Sequence, residues 1–105
     1  MNDLKIKNKL TLLIPAYKSG KLLVKVLNNI TKNIEIIIVD NSNDIKLKKF
    51  LEKKYKNCKV YLKKNIGYGR AINYGSKFIT TKYFFVMNPD TIIYKDTFKI
   101  LLKSA

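Results

Sequence analysis

The sequence predicts an α/β fold, a four-stranded, mostly parallel sheet with helices on both faces. Three observations predict it. Four short apolar runs, at residues 10–14, 34–39, 59–62 and 82–87, are rich in β-branched and aromatic residues, as strands buried in a parallel sheet are. Segments with helical apolar spacing separate them, and strands alternating with helices imply right-handed crossovers. Each run also leads into polar or turn-forming residues: Tyr17, then Asp40 and Asn41, then Asn65, then Asn88 and Asp90. In a parallel sheet these ends share one edge, the edge at which open α/β sheets bind ligands.

Residues 1–9 are a polar lead-in. The first strand, Leu-Thr-Leu-Leu-Ile at 10–14, is expected to stop at Pro15, which has no N–H to give a ladder. Residues 15–20 read as a loop in which Ser19 or Gly20 could cap the next helix. That helix, 21–31, carries Leu22, Leu23, Val26, Leu27 and Ile30 as an amphipathic stripe, and Asn33 breaks it. The second strand, 34–39, is almost wholly β-branched and ends in the turn and cap residues Asp40 to Asp44. A second helix, 45–55, sets Leu47, Phe50 and Leu51 on one face and lysines on the other. A short third strand, 59–62, leads to a loop with Gly67 and Gly69. The third helix, 70–80, turns Ala71, Tyr74, Gly75 and Phe78 inward. Tyr83-Phe84-Phe85-Val86-Met87 reads as a fourth strand buried on both faces, and Asn88-Pro89-Asp90 ends it. Asp96 is a cap candidate for a last helix, 97–104, which shows Phe98, Leu101 and Leu102.

The 105 residues make one small domain, and 47% of them are hydrophobic, a globular proportion. No apolar run approaches the roughly 18 residues of a membrane span. Residues 1–9 lack the apolar block of a signal peptide. One cysteine, Cys58, allows no internal disulfide, so the default location is cytoplasmic. The absence of histidine excludes a histidine triad, a histidine-ligated zinc and a histidine general base. The net charge of +15 is compatible with nucleic acid, an anionic membrane surface or a phosphorylated ligand. However, 21 of the 22 basic residues are lysines spread along the chain, and Lys, Asn and Ile together fill 46 positions. All three have A/T-rich codons, so much of the charge reads as codon bias on solvated faces. Arg70, the one arginine, stands apart as a position where lysine would not serve.

Chemistry at the strand ends follows from residue type. A carboxylate at Asp90, just past a strand, can hold Mg²⁺ or another hard cation that in turn holds phosphates. The loop Asn65-Ile66-Gly67-Tyr68-Gly69-Arg70 feeds a helix N-terminus, whose free N–H groups attract anions. Glycine permits close backbone approach, and Arg70 could grip a phosphate. It is neither a P-loop nor a dinucleotide fingerprint, because the required glycine spacings are absent.

Four segments together resemble the N-terminal, nucleotide-sugar-binding half of family 2 glycosyltransferases of the GT-A fold. Leu12-Leu13-Ile14-Pro15-Ala16-Tyr17 is similar to that family's opening strand and its Pro-x-Tyr/Phe. Ile36-Ile37-Ile38-Val39-Asp40-Asn41-Ser42 is similar to its second strand. Asn65 to Gly75 resembles its N-x-G-x-(G/A)-x-A-x-N-x-G segment. Residues 83–90 stand where the family has its Asp-x-Asp strand. The resemblance implies a Rossmann-like half with strand order 3-2-1-4. It implies that Pro15, Ala16 and Tyr17 line a base pocket and that Asp40, with Asn41 beside it, bonds a uracil or thymine. It places Asn65, Gly67 and Arg70 near the base or diphosphate. Asn88 and Asp90 would lie at the ribose, the diphosphate and a divalent metal, Mg²⁺ or Mn²⁺, with Asp90 as the metal ligand. The implied ligand is a UDP- or dTDP-sugar, and the implied acceptor is a glycan or lipid-linked group, as in cell-surface polysaccharide synthesis.

Asn88 departs from the family pattern by replacing the first acid of Asp-x-Asp. Asn-Pro-Asp is similar to the rhamnosyltransferase-like version, which implies a deoxythymidine-linked sugar and leaves one carboxylate fewer for a metal. Family members are at least about twice this length, and their second half supplies the acceptor site and the general base. Of the seven acids here, none is a good base candidate. The expectation is therefore a single truncated donor-binding domain, 1–105, with no catalytic residue and little transferase activity alone. Without further strands beyond the fourth, Phe84, Val86 and the strand edge would be exposed, which invites a homo-oligomer through that edge. Peripheral association at the inner face of the membrane also fits the charge.

Two other readings compete. A basic nucleic-acid-binding module needs lysines and aromatic platforms on one face, and the tyrosines are scattered, which argues against nucleic acid as a partner. A receiver-like α/β domain needs an acidic pair after strand one, where Pro15-Ala16-Tyr17 stands.

Overall fold

A computed structural model of the chain describes residues 10–30 and 34–90. Its elements are β1 (Leu10–Ala16), α1 (Gly20–Leu27), β2 (Glu35–Asp40), α2 (Ile45–Lys54), β3 (Cys58–Leu62), α3 (Tyr68–Ser76) and β4 (Tyr83–Val86). The four strands form one parallel sheet in the order β3-β2-β1-β4, as expected. The expected last helix, 97–104, and its cap Asp96 lie outside the described residues.

The alternation of strand side chains divides the core. Leu10, Leu12 and Ile14 of β1, Ile36 and Ile38 of β2, and Val60 of β3 pack under Leu23, Val26 and Leu27 of α1 and Leu51 of α2. On the opposite face Leu13, Ile37 and Val39 meet Ala71 of α3. Half-buried aromatics extend that second layer, with the Tyr61 and Phe78 rings stacked at 3.9 Å between centroids. Helices therefore cover both faces, two on one side and one on the other.

The first strand does not stop at Pro15 but continues through it to Ala16. Leu13 O accepts from Met87 N, on the β4 side, whereas Ala16 O accepts from Asn41 N, on the β2 side. Pro15 shares the parity of Leu13 and so faces β4. Its missing N–H ends the β4 ladder, which stops at the Leu13–Val86 pair, and leaves the β2 ladder intact through Ala16–Asp40.

β4 is not buried on both faces. Tyr83, Phe84, Phe85 and Val86 are each 37–47% exposed. The strand lies at the sheet edge, beyond β1, while the helices pack mainly on β1, β2 and β3. Exposure of Phe84 and Val86 matches the expectation for a strand without a further neighbour among the described residues, and Tyr83 and Phe85 share it.

The helices are shorter than their apolar spacing suggests. α1 ends at Leu27, and Ile30 still reaches the core through a tight turn with Asn29 N to Val26 O and Ile30 N to Leu27 O bonds. In α2 Leu51 is buried, but Phe50 is 49% exposed with Lys54 Nζ 5.7 Å from its ring centre. In α3 Ala71 and Gly75 are the buried pair. A Cβ at Gly75 would press inside van der Waals contact with Leu13 and Val39, so glycine lets this helix sit close to the sheet.

Candidate functional site

Parallel pairing aligns the strand ends. Ala16 of β1, Asp40 of β2 and Leu62 of β3 occupy one rung, and Tyr17, Asn41 and Lys63 follow on the next. β4 ends one step earlier, at Val86 opposite Leu13, and carries Asn88 to Asp90 onto the same edge. Nine of the ten expected site residues thus fall on the carboxyl edge of the sheet or on the loops that leave it, and the tenth, Arg70, lies in the first turn of α3.

Asp40 is fully buried. One carboxylate oxygen accepts from the Ser42 N–H at 3.1 Å and from the Ser42 hydroxyl, and the other accepts from the Asp44 N–H at 3.0 Å. Asp44 in turn caps α2, its Oδ1 accepting from Lys46 N and Leu47 N, both at 3.1 Å. This Asx-type arrangement is what an Asp-Asn-Ser-Asn-Asp stretch favours. The Asp40 carboxylate therefore faces its own turn. Asn41 is also buried, with its carboxamide bonded to the backbones of Ala16 and Ile66.

Around this braced centre lie the exposed candidates. Tyr17 is 49% exposed, with Lys18 Nζ 5.3 Å from its ring centre, while Pro15 and Ala16 beneath it are buried. Asn65 is exposed and its Oδ1 accepts from Gly67 N at 3.3 Å. Gly67, at φ +86°, occupies the N-cap of α3 in a backbone conformation suited to glycine. Arg70 projects from the first turn of α3 and is exposed, as are Asn88 and Asp90, with Pro89 half-buried between them. No side-chain hydrogen bond or ion pair ties Arg70, Asn88 or Asp90 to another group among the described residues. The structure thus binds the β1, β2 and β3 ends into one network and sets the Asn88–Asp90 turn beside it without a direct bond.

The packing adds contributors beyond the ten expected site residues. Ser42 completes the Asp40 turn, and Lys63 N–H bonds Asp40 O at 2.9 Å while its Nζ lies 4.1 Å from the Tyr74 ring centre. Ser19 stands at the α1 N-cap, but its hydroxyl donates to Tyr17 O rather than capping the helix. Next to the strand ends a cleft of about 620 Å³ opens between the N-terminal ends of α1 and α2, lined by Lys18, Lys21, Ser42 and Asp44 among others. Both ends carry cap residues legible in the sequence, but their facing one another is a matter of packing. Among the described residues no cluster of three or more acidic or sulfur side chains is placed to hold a metal. No helix there is long and apolar enough to cross a membrane.

Comparison with known proteins bears on this geometry. An uncharacterized glycosyltransferase of Rickettsia conorii is 33% identical over 98% of the chain, and one of Mycoplasma genitalium is 30% identical over 92%. The chain spans 17% and 37% of those relatives' lengths. Among solved structures, residues 1–349 of TarS from S. aureus superpose with a TM-score of 0.75 at 25% identity, over 90% of this chain and 31% of that one. The same TarS piece in complex with UDP gives 0.69 at 22% identity. Residues 11–105 match the family model for Glycosyl transferase family 2, and the chain belongs to that family, with a GT-A-type Rossmann-like fold.

Proposed function

We propose that this chain is the donor-binding part of a glycosyltransferase and holds a nucleoside-diphosphate sugar, UDP- or dTDP-linked, at the carboxyl edge of its sheet. The observation that carries the reading is the meeting of a hydrogen-bonded network of strand ends with the exposed groups Tyr17, Arg70, Asn88 and Asp90 on one edge. The TarS structure with UDP supports the ligand class.

In this reading the exposed Tyr17 ring, on the Pro15-Ala16 shelf, offers a face to the base. Asp40 and Asn41 act mainly by holding the loops, since their side chains are turned inward. Asn65 and Gly67 present the N-terminus of α3, and Arg70 on its first turn pairs with the diphosphate. Asn88 offers an amide to the ribose, and Asp90 would hold Mg²⁺ or Mn²⁺. The exposed Asp90 carboxylate, free of hydrogen bonds among the described residues, fits a hard cation whose remaining ligands are diphosphate oxygens and water. When bound, such a cation neutralises charge on the departing nucleoside diphosphate. Asn88 in place of an acid gives that cation a single protein carboxylate and favours a deoxythymidine-linked sugar.

The acceptor, a glycan or lipid-linked group, and the general base that takes its proton come from a polypeptide beyond these 105 residues. The setting is cell-surface polysaccharide synthesis in the cytoplasm, with lysines drawing the protein to the anionic inner face of the membrane. The open β4 edge joins a second copy.

Thermal unfolding with UDP, dTDP and GDP, each with and without Mn²⁺, tests the reading. A ligand at about 100 times its dissociation constant adds about 2.7 kcal/mol, a rise of several degrees. A rise confined to the pyrimidine diphosphates and enhanced by Mn²⁺ is expected. No rise with any nucleotide sinks the proposal.

A further inference from the structure

We infer that Asn41 is a positioning residue, which locks the loop ahead of α3 to the end of β1 and so sets where Arg70 stands. The inference deepens the nucleotide-binding reading and rests on it for its functional consequence. Asn41 is only 5% exposed. Its Nδ2 donates to Ala16 O and its Oδ1 accepts from Ile66 N–H, both at 3.3 Å. Its own N–H also bonds Ala16 O at 2.8 Å. From just past β2, one side chain thereby joins the end of β1, 25 residues earlier in the chain, to a loop 25 residues later.

The chemistry of the side chain makes the position selective. A carboxamide carries a donor and an acceptor on one short planar group, and here each meets a backbone group of opposite kind. An ionised aspartate has no donor for Ala16 O, serine is too short to reach both partners, and leucine has neither function. The loop is pinned a second time by Lys63 N–H to Asp40 O at 2.9 Å. Between and after those pins lie the exposed Asn65 and Gly67. Gly67 O accepts from Ala71 N at 3.1 Å, so the place of Ile66 passes directly into the first turn of α3 and to Arg70. Asn41 therefore acts on a ligand through the loop, with both ends of its carboxamide already engaged by backbone.

Hydrogen exchange of the Ile66 amide and calorimetric titration with UDP and Mn²⁺, on the full 105-residue chain, test this with Asn41→Leu and Asn41→Asp. In Asn41→Leu the Ile66 amide should exchange at least about tenfold faster, while the β2 amides Ile37 and Ile38 are unchanged, and UDP affinity should fall about tenfold, the scale of one hydrogen bond. Asn41→Asp keeps the acceptor and should restore much of the Ile66 protection and part of the affinity. Should Asn41→Leu not fold, Asn41→Ser gives the same comparison. Unchanged Ile66 exchange overturns the inference, as does lost affinity with Ile66 protection intact, which would mean direct contact with the nucleotide. Accelerated exchange with unchanged affinity also overturns it. If the unaltered chain binds no UDP, the functional reading fails, and Ile66 exchange alone decides whether Asn41 holds the loop.

Discussion

At Asp40, three donors depend on one buried carboxylate: the Ser42 N–H, the Ser42 hydroxyl and the Asp44 N–H. Asp40→Ala strands them at the entry to α2 and should lower stability by about 1–3 kcal/mol, read as a lower urea midpoint. Asp40→Asn should fall between the two, because its amide nitrogen would face the Asp44 N–H, donor against donor. Equal midpoints for all three proteins would show that the turn holds without the carboxylate. Gly75 is decided by space rather than polarity. Gly75→Ala gains up to about 1 kcal/mol of helix propensity but overpacks Leu13 and Val39, which typically costs about 1–3 kcal/mol. A net loss in urea unfolding is expected, and a gain would mean that α3 can lift off the sheet freely. Both residues were legible in the sequence as types, an acid at a strand end and a small residue on an inner helix face. What each one touches was not.

At the scale of elements, β3 is a sheet edge whose outward groups are answered by a helix. Glu52 accepts from Val60 N at 2.8 Å, and Lys48 Nζ donates to Val60 O and pairs with Glu52 at 3.2 Å. Two residues of α2, Glu52 and one of the lysines that read as solvated surface in the sequence, thus act as a substitute strand, since i and i+4 place them side by side. Cys58, at the start of β3, is buried. Burial first, then the nearby Glu52 carboxylate, with Lys48 opposing, push the Cys58 thiol up to about 12. The unfolded thiol ionises near its ordinary 9.0 while the folded thiol keeps its proton, so the unfolded state binds fewer protons between pH 9 and about 12. Stability should therefore fall as pH rises through that window. Alkylation at pH 8.5 should be slow in buffer and fast in urea; rapid labelling of the native protein would contradict the buried, protonated thiol.

Over the whole molecule, the two sheet edges differ. The Lys48–Glu52 pair blocks β3, and β4 leaves Phe84 and Val86 47% and 38% exposed. Self-association through β4 is the expected result, with light scattering giving a mass above that of one chain that rises with concentration. Phe84→Lys should return it to a monomer without unfolding. A monodisperse monomer of the unaltered protein at high concentration would rule the β4 contact out. The same asymmetry explains one misreading. An unbroken apolar run signals a buried central strand only when both neighbours and both layers are present; among the described residues 83–86 has the pattern without that surrounding, and only Met87 after it is buried.

Strand and helix order, the parallel sheet and its carboxyl edge were determined by the sequence alone. β-branched runs and 3.6-residue stripes encode each element locally, and alternation leaves few topologies. The family motifs were likewise readable, being fixed residues at fixed spacing. Only the tertiary structure decided that β1 passes through Pro15, because that depends on which neighbour the missing N–H faces. It alone shows that the side chains of Asp40 and Asn41 bond neighbouring turns and backbone, while Tyr17, Arg70, Asn88 and Asp90 stand exposed. Hydrogen-bond partners lie 25 residues apart at Ala16, Asn41 and Ile66, and no local pattern records which of them will meet.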